Sequence, residues 1–302
     1  MLSGMKIAIL CASGIGDCLL FSTLGMQLEK MGWDVTLYSD HGQSFGSWLS
    51  PLTFLPQPTL DEIPNLASHF DTLFLQHDNS LKAKAVEKLI PPLYRFFGSH
   101  KLEKHGPIQK EKDYVCQPQV SMVENLFRSA HKFFGPECTP ISHLLPPKGV
   151  IYRRFPKRIA IHPTASSLQK CWPKEKFFKL KEILEEKGFN PSFIVSPKEQ
   201  KEWPSSPHFP TLEDLASYLY ESGGLIGNDS GPGHLASLLR LPHLILGGDG
   251  LQMPLWRPGW HLGELMIPPP FLMRLKALRK YWHKFLKPEK VATKFINNYL
   301  NN

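Results

Sequence analysis

Lys6-Ile7-Ala8-Ile9-Leu10, followed by Gly14-Ile15-Gly16-Asp17 and then by Cys18 to Lys30, is the stretch that decides the fold. The first five residues form a short apolar run, as a strand covered on both faces of a parallel sheet requires. The glycines mark a tight turn, and Cys18 to Lys30 reads as a helix that Gly32 stops. Asp34-Val-Thr-Leu-Tyr38 is the next strand, so the segment is a βαβ unit. Asp71 to His77 reads as a later strand of the same sheet. From Asp78 to Pro118 the chain is polar and basic and shows no clear period.

A second series follows a Pro-rich, basic stretch, Pro146 to Lys157, that reads as a linker. Arg158 to His162 is a strand. Pro173 to Lys187 is a helix opened by proline and closed by Gly188. Asn190 to Val195, Gly224 to Asp229 and His243 to Leu246 are further strands. Thr211, with Asp214 three residues on, caps a helix running to Glu221, and Pro232 to Leu241 is another helix. Strands alternating with helices in both halves predict two doubly wound α/β domains. Such sheets take ligands at the carboxyl ends of their strands. The expected division is 1–152, 153–270 and a tail, 271–302.

Composition fits this. Of 302 residues 42% are hydrophobic and 21% charged, an ordinary globular balance. The 28 prolines argue against a long helical bundle. The net charge of +8 sits almost wholly in the tail, where Arg274, Lys276, Arg279, Lys280, Lys284, Lys287, Lys290 and Lys294 face one acid, Glu289. Phe271, Leu275, Leu278, Trp282 and Phe285 recur at helical spacing, so the tail reads as amphipathic helices. Its basic face is either a solvated surface or a contact for an anionic membrane. Charge confined to one tail, with no recognition motif, does not suggest a nucleic-acid partner. The five scattered cysteines form no disulfide framework or zinc site, which fits a reducing, cytosolic compartment. No run approaches the ~20 apolar residues of a spanning helix, so a soluble or peripheral protein is expected.

Three constellations carry chemistry. Gly14-Ile15-Gly16-Asp17 lacks the third glycine of a dinucleotide loop, for Leu19 stands in its place, and Asp17 opposes phosphate. Asp17 reads either as a general base or as a helix cap. Asn228-Asp229-Ser230-Gly231-Pro232-Gly233-His234 leaves backbone amides free at a helix start, the geometry of a diphosphate site. His162-Pro163-Thr164-Ala165-Ser166 with Lys170-Cys171-Trp172-Pro173 adds hydroxyls and one lysine, which reads either as an ordinary exposed loop lysine or as a point charge suited to a departing phosphate.

Taken together these residues resemble glycosyltransferase family 9, the ADP-heptose:lipopolysaccharide heptosyltransferases. The matching signatures are Gly-x-Gly-Asp at 14–17, Phe70-Asp71 with Gln76-His77, the run at 162–173, and Asn-Asp-Ser-Gly-Pro-Gly-His-Leu-Ala at 228–236. The resemblance implies a GT-B fold: two Rossmann-like domains facing a cleft, the C-terminal helices crossing back to pack on the first. It implies an acceptor domain with Asp17 as base on the loop of Gly14 and Gly16. It implies a donor domain in which Thr164, Ala165 and Lys170 meet the diphosphate. There Glu199 meets the ribose, Asp229 the sugar, and Ser230, Gly231 and His234 phosphate or ribose. The implied reaction is inverting transfer of heptose from ADP-heptose to an anionic glycolipid of the lipopolysaccharide core, at the cytoplasmic face of the inner membrane. The donor is a substrate; no cofactor and no metal are implied. The basic residues of 77–112 are either a solvated loop or a site for phosphorylated core sugars. Two other readings stay open: a transferase using another nucleotide sugar, and a catalytically silent nucleotide- or lipid-binding homologue.

Overall fold

The computed structural model describes residues 4–89, 92–98, 108–109, 111–139, 144–203, 205–248, 252–261, 263–269 and 281–300. The chain divides into two compact units, Met1–Leu145 and Pro146–Asn302.

The first unit holds strands β1 (Lys6–Leu10), β2 (Asp34–Tyr38), β3 (Thr53–Leu55), β4 (Thr72–His77), β5 (Leu93–Phe97) and β6 (Asp113–Val115). Its helices are α1 (Ile15–Lys30), α2 (Ile63–His69), α3 (Leu81–Val86) and α4 (Met122–Phe134). All strand pairs are parallel, in the order 3-2-1-4-5-6. Every residue of β4 is buried, as expected for a strand with layers on both faces. On one face Ala8, Leu10, Leu73 and Leu75 meet Ile63, Leu66 and Val86. On the other an aromatic layer forms, with Phe21 edge-on to Phe96 at 5.4 Å and Phe74 stacked on Phe134 at 6.1 Å. Strand order reverses between β1 and β4, so ligands are expected above the carboxyl ends of those two strands.

The stretch that showed no period contains β5 and β6. Arg95 in β5 donates through Nε and Nη2 to the two carboxylate oxygens of Asp113 in β6, each at 2.6 Å, and through Nη1 to Glu87 at 2.5 Å. Lys132 of α4 donates to the Asp113 carbonyl at 2.6 Å. Charges buried in strands break the apolar run by which such strands are recognised.

The second unit holds β7 (Phe155–His162), β8 (Asn190–Phe193), β9 (Ser222–Asn228), β10 (His243–Leu246) and β11 (Glu264–Met266). They form a parallel sheet ordered β11-β10-β9-β7-β8, reversing between β7 and β9. Its helices are α5 (Lys174–Glu186), α6 (Leu212–Tyr220), α7 (Gly231–Leu238), α8 (Met253–Trp256), α9 (Trp282–Phe285) and α10 (Pro288–Leu300). The capping box expected at Thr211 is present: its hydroxyl accepts from the Asp214 amide at 3.1 Å, and Asp214 accepts the Thr211 amide at 3.1 Å.

Two expectations are corrected. The boundary lies between Leu145 and Pro146, not at 152/153, and the end of the supposed linker is already strand. The Arg158 guanidinium lies 4.5 Å from the Phe155 ring centre and 3.9 Å from that of Tyr218, and donates to Ser222 Oγ and to the Tyr218 carbonyl. Arg158 is thus built into β7 by its own side chain. The described part of the tail is no separate segment but belongs to the second unit. Trp282, Leu286, Val291, Ala292 and Phe295 are buried in one cluster with Trp172, Phe177 and Ile226. Of the predicted stripe, Trp282 joins that cluster whereas Phe285 is exposed; Lys294 pairs with Glu264 of β11 at 3.0 Å. Phe271, Leu275, Leu278 and four of the tail's basic residues lie outside the described residues. Among the described residues no helix is long and apolar enough to cross a membrane.

Candidate functional site

In the first unit the site grows from the turn between β1 and α1. Gly14 is the N-cap of α1 and makes no side-chain cap, so Gly16 and Asp17 fall in the first turn. The half-buried Asp17 carboxylate folds back over Gly14, where a Cβ would stand 2.5 Å from Oδ2 and push the carboxylate aside. Gln76, near the carboxyl end of β4, donates its side-chain amide to Asp17 Oδ1 and accepts the Ala12 amide at 2.8 Å. The loop backbone is held by Gln57, which donates to the Cys11 carbonyl at 2.6 Å, and by His41 Nε2, which lies 3.0 Å from the Ser13 carbonyl. Burial holds the Asp17 carboxyl above the usual carboxylate range; the Gln76 and Gly14 bonds pull it down, and the nearby Asp78 adds to the rise. Asp17 thus accepts the amide of Gly14, the helix's N-cap residue, and stands with a raised carboxyl at the switch point of the first sheet.

In the second unit the site lies on the loops after β7, β8 and β9. Asn228, fully buried at the end of β9, donates to the Pro163 carbonyl at 2.7 Å and accepts the Trp172 amide at 3.0 Å. It thereby ties the ends of the loop that carries Thr164 and Lys170. Lys170 Nζ pairs with Asp229 Oδ2 at 3.1 Å. Ser230 is the N-cap of α7, but its hydroxyl donates to the Asn228 carbonyl at 3.1 Å rather than capping the helix. Gly231 then opens a helix start with no side-chain cap. His234, in its first turn, is kept neutral chiefly by burial; Asp229 opposes this shift and Lys170 reinforces it.

A second group stands on the adjoining strand ends. His162 Nδ1 donates to the Ile194 carbonyl at 2.9 Å, and its Nε2 lies 3.4 Å from the Thr164 oxygen. Burial keeps His162 neutral. Glu199 accepts from the Ser196 hydroxyl at 2.6 Å and the Ser196 amide at 3.0 Å. It also accepts from Thr164, and these bonds outweigh partial burial and hold its carboxyl below the usual range. The Ala165 amide turns to the Cys171 thiol. The second unit thus brings together Lys170, Asp229 and His234, and, as a second group, His162, Thr164 and Glu199. Asp17, Gly14 and Gly16 form their own group with Gln76 in the first unit. Among the described residues no three His, Cys, Asp or Glu side chains gather as a metal site would require.

Sequence reasoning quoted Gln76, His162 and Asn228 without giving them roles. Their signal was position: each ends, or nearly ends, a central strand beside the point where strand order reverses.

Comparison with known proteins agrees with this geometry. Residues 116–249 match the model of glycosyltransferase family 9 (heptosyltransferase). That stretch contains Thr164, Lys170, Glu199, Asp229 and His234. No curated protein matches the chain. Among solved structures, the chain is similar to the E. coli ADP-heptose lipopolysaccharide heptosyltransferase II, with 16% identity, coverage of 98% of this chain and 99% of that one, and a TM-score of 0.71. A glycosyl transferase family 9 protein from Veillonella parvula gives 15% identity, 100% and 99% coverage and a TM-score of 0.73. The E. coli heptosyltransferase WaaC, solved with ADP, gives 14% identity, 97% and 100% coverage and a TM-score of 0.65. The resemblance to family 9 is thus carried by sequence over 116–249 and by the GT-B-like α/β fold over nearly the whole chain.

Proposed function

We propose that this protein is an inverting, metal-independent glycosyltransferase that moves heptose from ADP-heptose to an anionic lipopolysaccharide-core lipid. The observation that carries the reading is the Lys170–Asp229 pair beside the uncapped start of α7, at the switch point of the second sheet. Free helix-end amides and a lysine are what a diphosphate needs. The family match over the same residues and the ADP found with the E. coli relative WaaC support the choice of donor.

In this reading Lys170, Thr164 and the amides of Ser230 and Gly231 bind the diphosphate. Asp229 turns from Lys170 to the sugar hydroxyls, and Glu199 takes the ribose. Asp17, held by Gln76, accepts the proton of the acceptor hydroxyl as its oxygen attacks the anomeric carbon. The bond from that carbon to the diphosphate oxygen breaks, and Lys170, neutral His234 and the α7 amides stabilise the charge left on the diphosphate. The protein works at the cytoplasmic face of the inner membrane, its basic tail toward anionic lipid.

The test is transfer of heptose from ADP-heptose to deep-rough lipid, with calorimetry of ADP and UDP run beside it. Turnover with tighter binding of ADP supports the reading. Tighter UDP binding redirects it to another nucleotide sugar. Nucleotide binding without turnover by any sugar donor makes the protein a silent binder and overturns it.

A further inference from the structure

Asn228 ties the two ends of the loop that carries Lys170, but the turn between them has little packing of its own. Leu168–Lys170 is one 3-10 turn that buries none of its side chains, and Leu168 is 91% exposed. A lysine is a point charge on a flexible stem, so where its ammonium reaches depends on where its backbone is held. That backbone is held from the C-terminal segment. Trp282 Nε1 donates to the carbonyl of Gln169, the residue before Lys170, at 3.0 Å. Trp172 Nε1 donates in the other direction, to the Leu286 carbonyl, at 3.2 Å. Lys176 Nζ closes the frame on the His283 and Leu286 carbonyls at 2.5 and 2.9 Å. Both indoles are almost wholly buried, where a hydrogen bond is strengthened by the low dielectric. Trp282 in turn rests on Gly248, just past β10, where a Cβ would fall inside its ring.

We propose that the reciprocal indole clasp of Trp172 and Trp282 is a positioning device that presents Lys170 to the donor diphosphate. Trp282 and Trp172 are positioning residues, and the clasp makes the end of the chain a determinant of donor affinity. The proposal rests on the reading of the second unit as a nucleotide-sugar site.

Trp282→Phe keeps a ring on Gly248 and removes the N–H. It is compared with the wild type in amide exchange and in ADP calorimetry, with and without Lys170→Met. The expected result is faster exchange confined to 167–172, with α5 and α10 unchanged, and an ADP affinity lower by about three- to tenfold. In the Lys170→Met background the affinity loss shrinks to less than about twofold, because the two act as one unit. A merely structural tryptophan would weaken binding equally in both backgrounds, and that result overturns the proposal. So does unchanged exchange or unchanged affinity. Should Trp282→Phe fail to fold, 3-benzothienylalanine at position 282 replaces the N–H by sulfur in a ring of the same size, with the same expectations. A wild type that binds no ADP removes the donor-site reading itself. ADP binding by the wild type with no response to loss of the N–H removes the clasp alone.

Discussion

The side-chain amide of Gln76 donates to Oδ1 of Asp17, and the same side chain is kept from flipping by the Ala12 amide, which its carbonyl accepts at 2.8 Å. A glutamine locked in this way presents its N–H to the carboxylate and favours its charged form. Burial pulls the other way and wins, so Asp17 sits above the usual carboxylate range.

Asp17→Asn is expected to bind ADP like the wild type and to turn over about 10²–10⁴-fold more slowly. The raised carboxyl also fixes the sign of its effect on stability. Above the unfolded value the unfolded chain holds the charge more easily, so ionised Asp17 costs stability at neutral pH. Asn removes that cost, and the Tm of the variant should be equal or higher. A Tm several degrees lower would contradict this.

Gln76→Leu should move the acid limb of kcat/KM to higher pH, because the bond that lowers the Asp17 carboxyl is lost while burial remains. Donor affinity should stay put. A limb that does not move, or moves to lower pH, would show that Gln76 does not tune the base.

Lys170→Met should weaken ADP binding by roughly 10- to 100-fold, the worth of a hydrogen bond to a charged group. The deficit should narrow as salt is raised, since Lys170 is half exposed and screened. Calorimetry at low and high ionic strength checks both parts.

Arg95→Met should destabilise the first unit by about 3–5 kcal/mol, by leaving the Asp113 carboxylate buried without its guanidinium. Denaturant unfolding measures it. A loss below about 1 kcal/mol would mean that the ion pair between β5 and β6 matters little.

Stability of the second unit should fall as pH drops from about 6.5 to 4. Burial, aided by His261 and His234, pushes the fully buried His243 down to about 4, so the unfolded chain takes up its proton well before the folded one does. The loss from this residue reaches about 3 kcal/mol, and His162 and His234, lowered by burial too, act in the same direction. His243→Asn should flatten the slope in unfolding measured against pH.

The fold was legible where strands obey simple rules. β1, β4, β7, β9 and β10 each carry a short apolar segment, and each was placed within a few residues. β5 and β6 were missed because Arg95 and Asp113 neutralise each other across the ladder, a pairing that makes both strands look polar one at a time. Thr164, Lys170, Asp229 and His234 were legible because they crowd into short loops at strand ends. In the tail, helical spacing pointed to Trp282 and Phe285 as one covered face, but only Trp282 is buried and Leu286, Val291 and Phe295 supply the rest of the cover, because the neighbouring sheet and not the spacing decides which side chains are enclosed.

By itself the sequence determined what acts within a few residues: alternating strands and helices, the Thr211 cap, the glycine turn before Asp17 and the loop chemistry of both halves. Only tertiary structure decided which of these meet. Gln76 and Asp17 are 59 residues apart, as are Lys170 and Asp229, and Trp282 reaches a carbonyl 113 residues away. Local propensity follows from each residue's own backbone and nearest neighbours, whereas a hydrogen bond between distant side chains exists only once parallel strands have brought their carboxyl ends to one edge of a sheet.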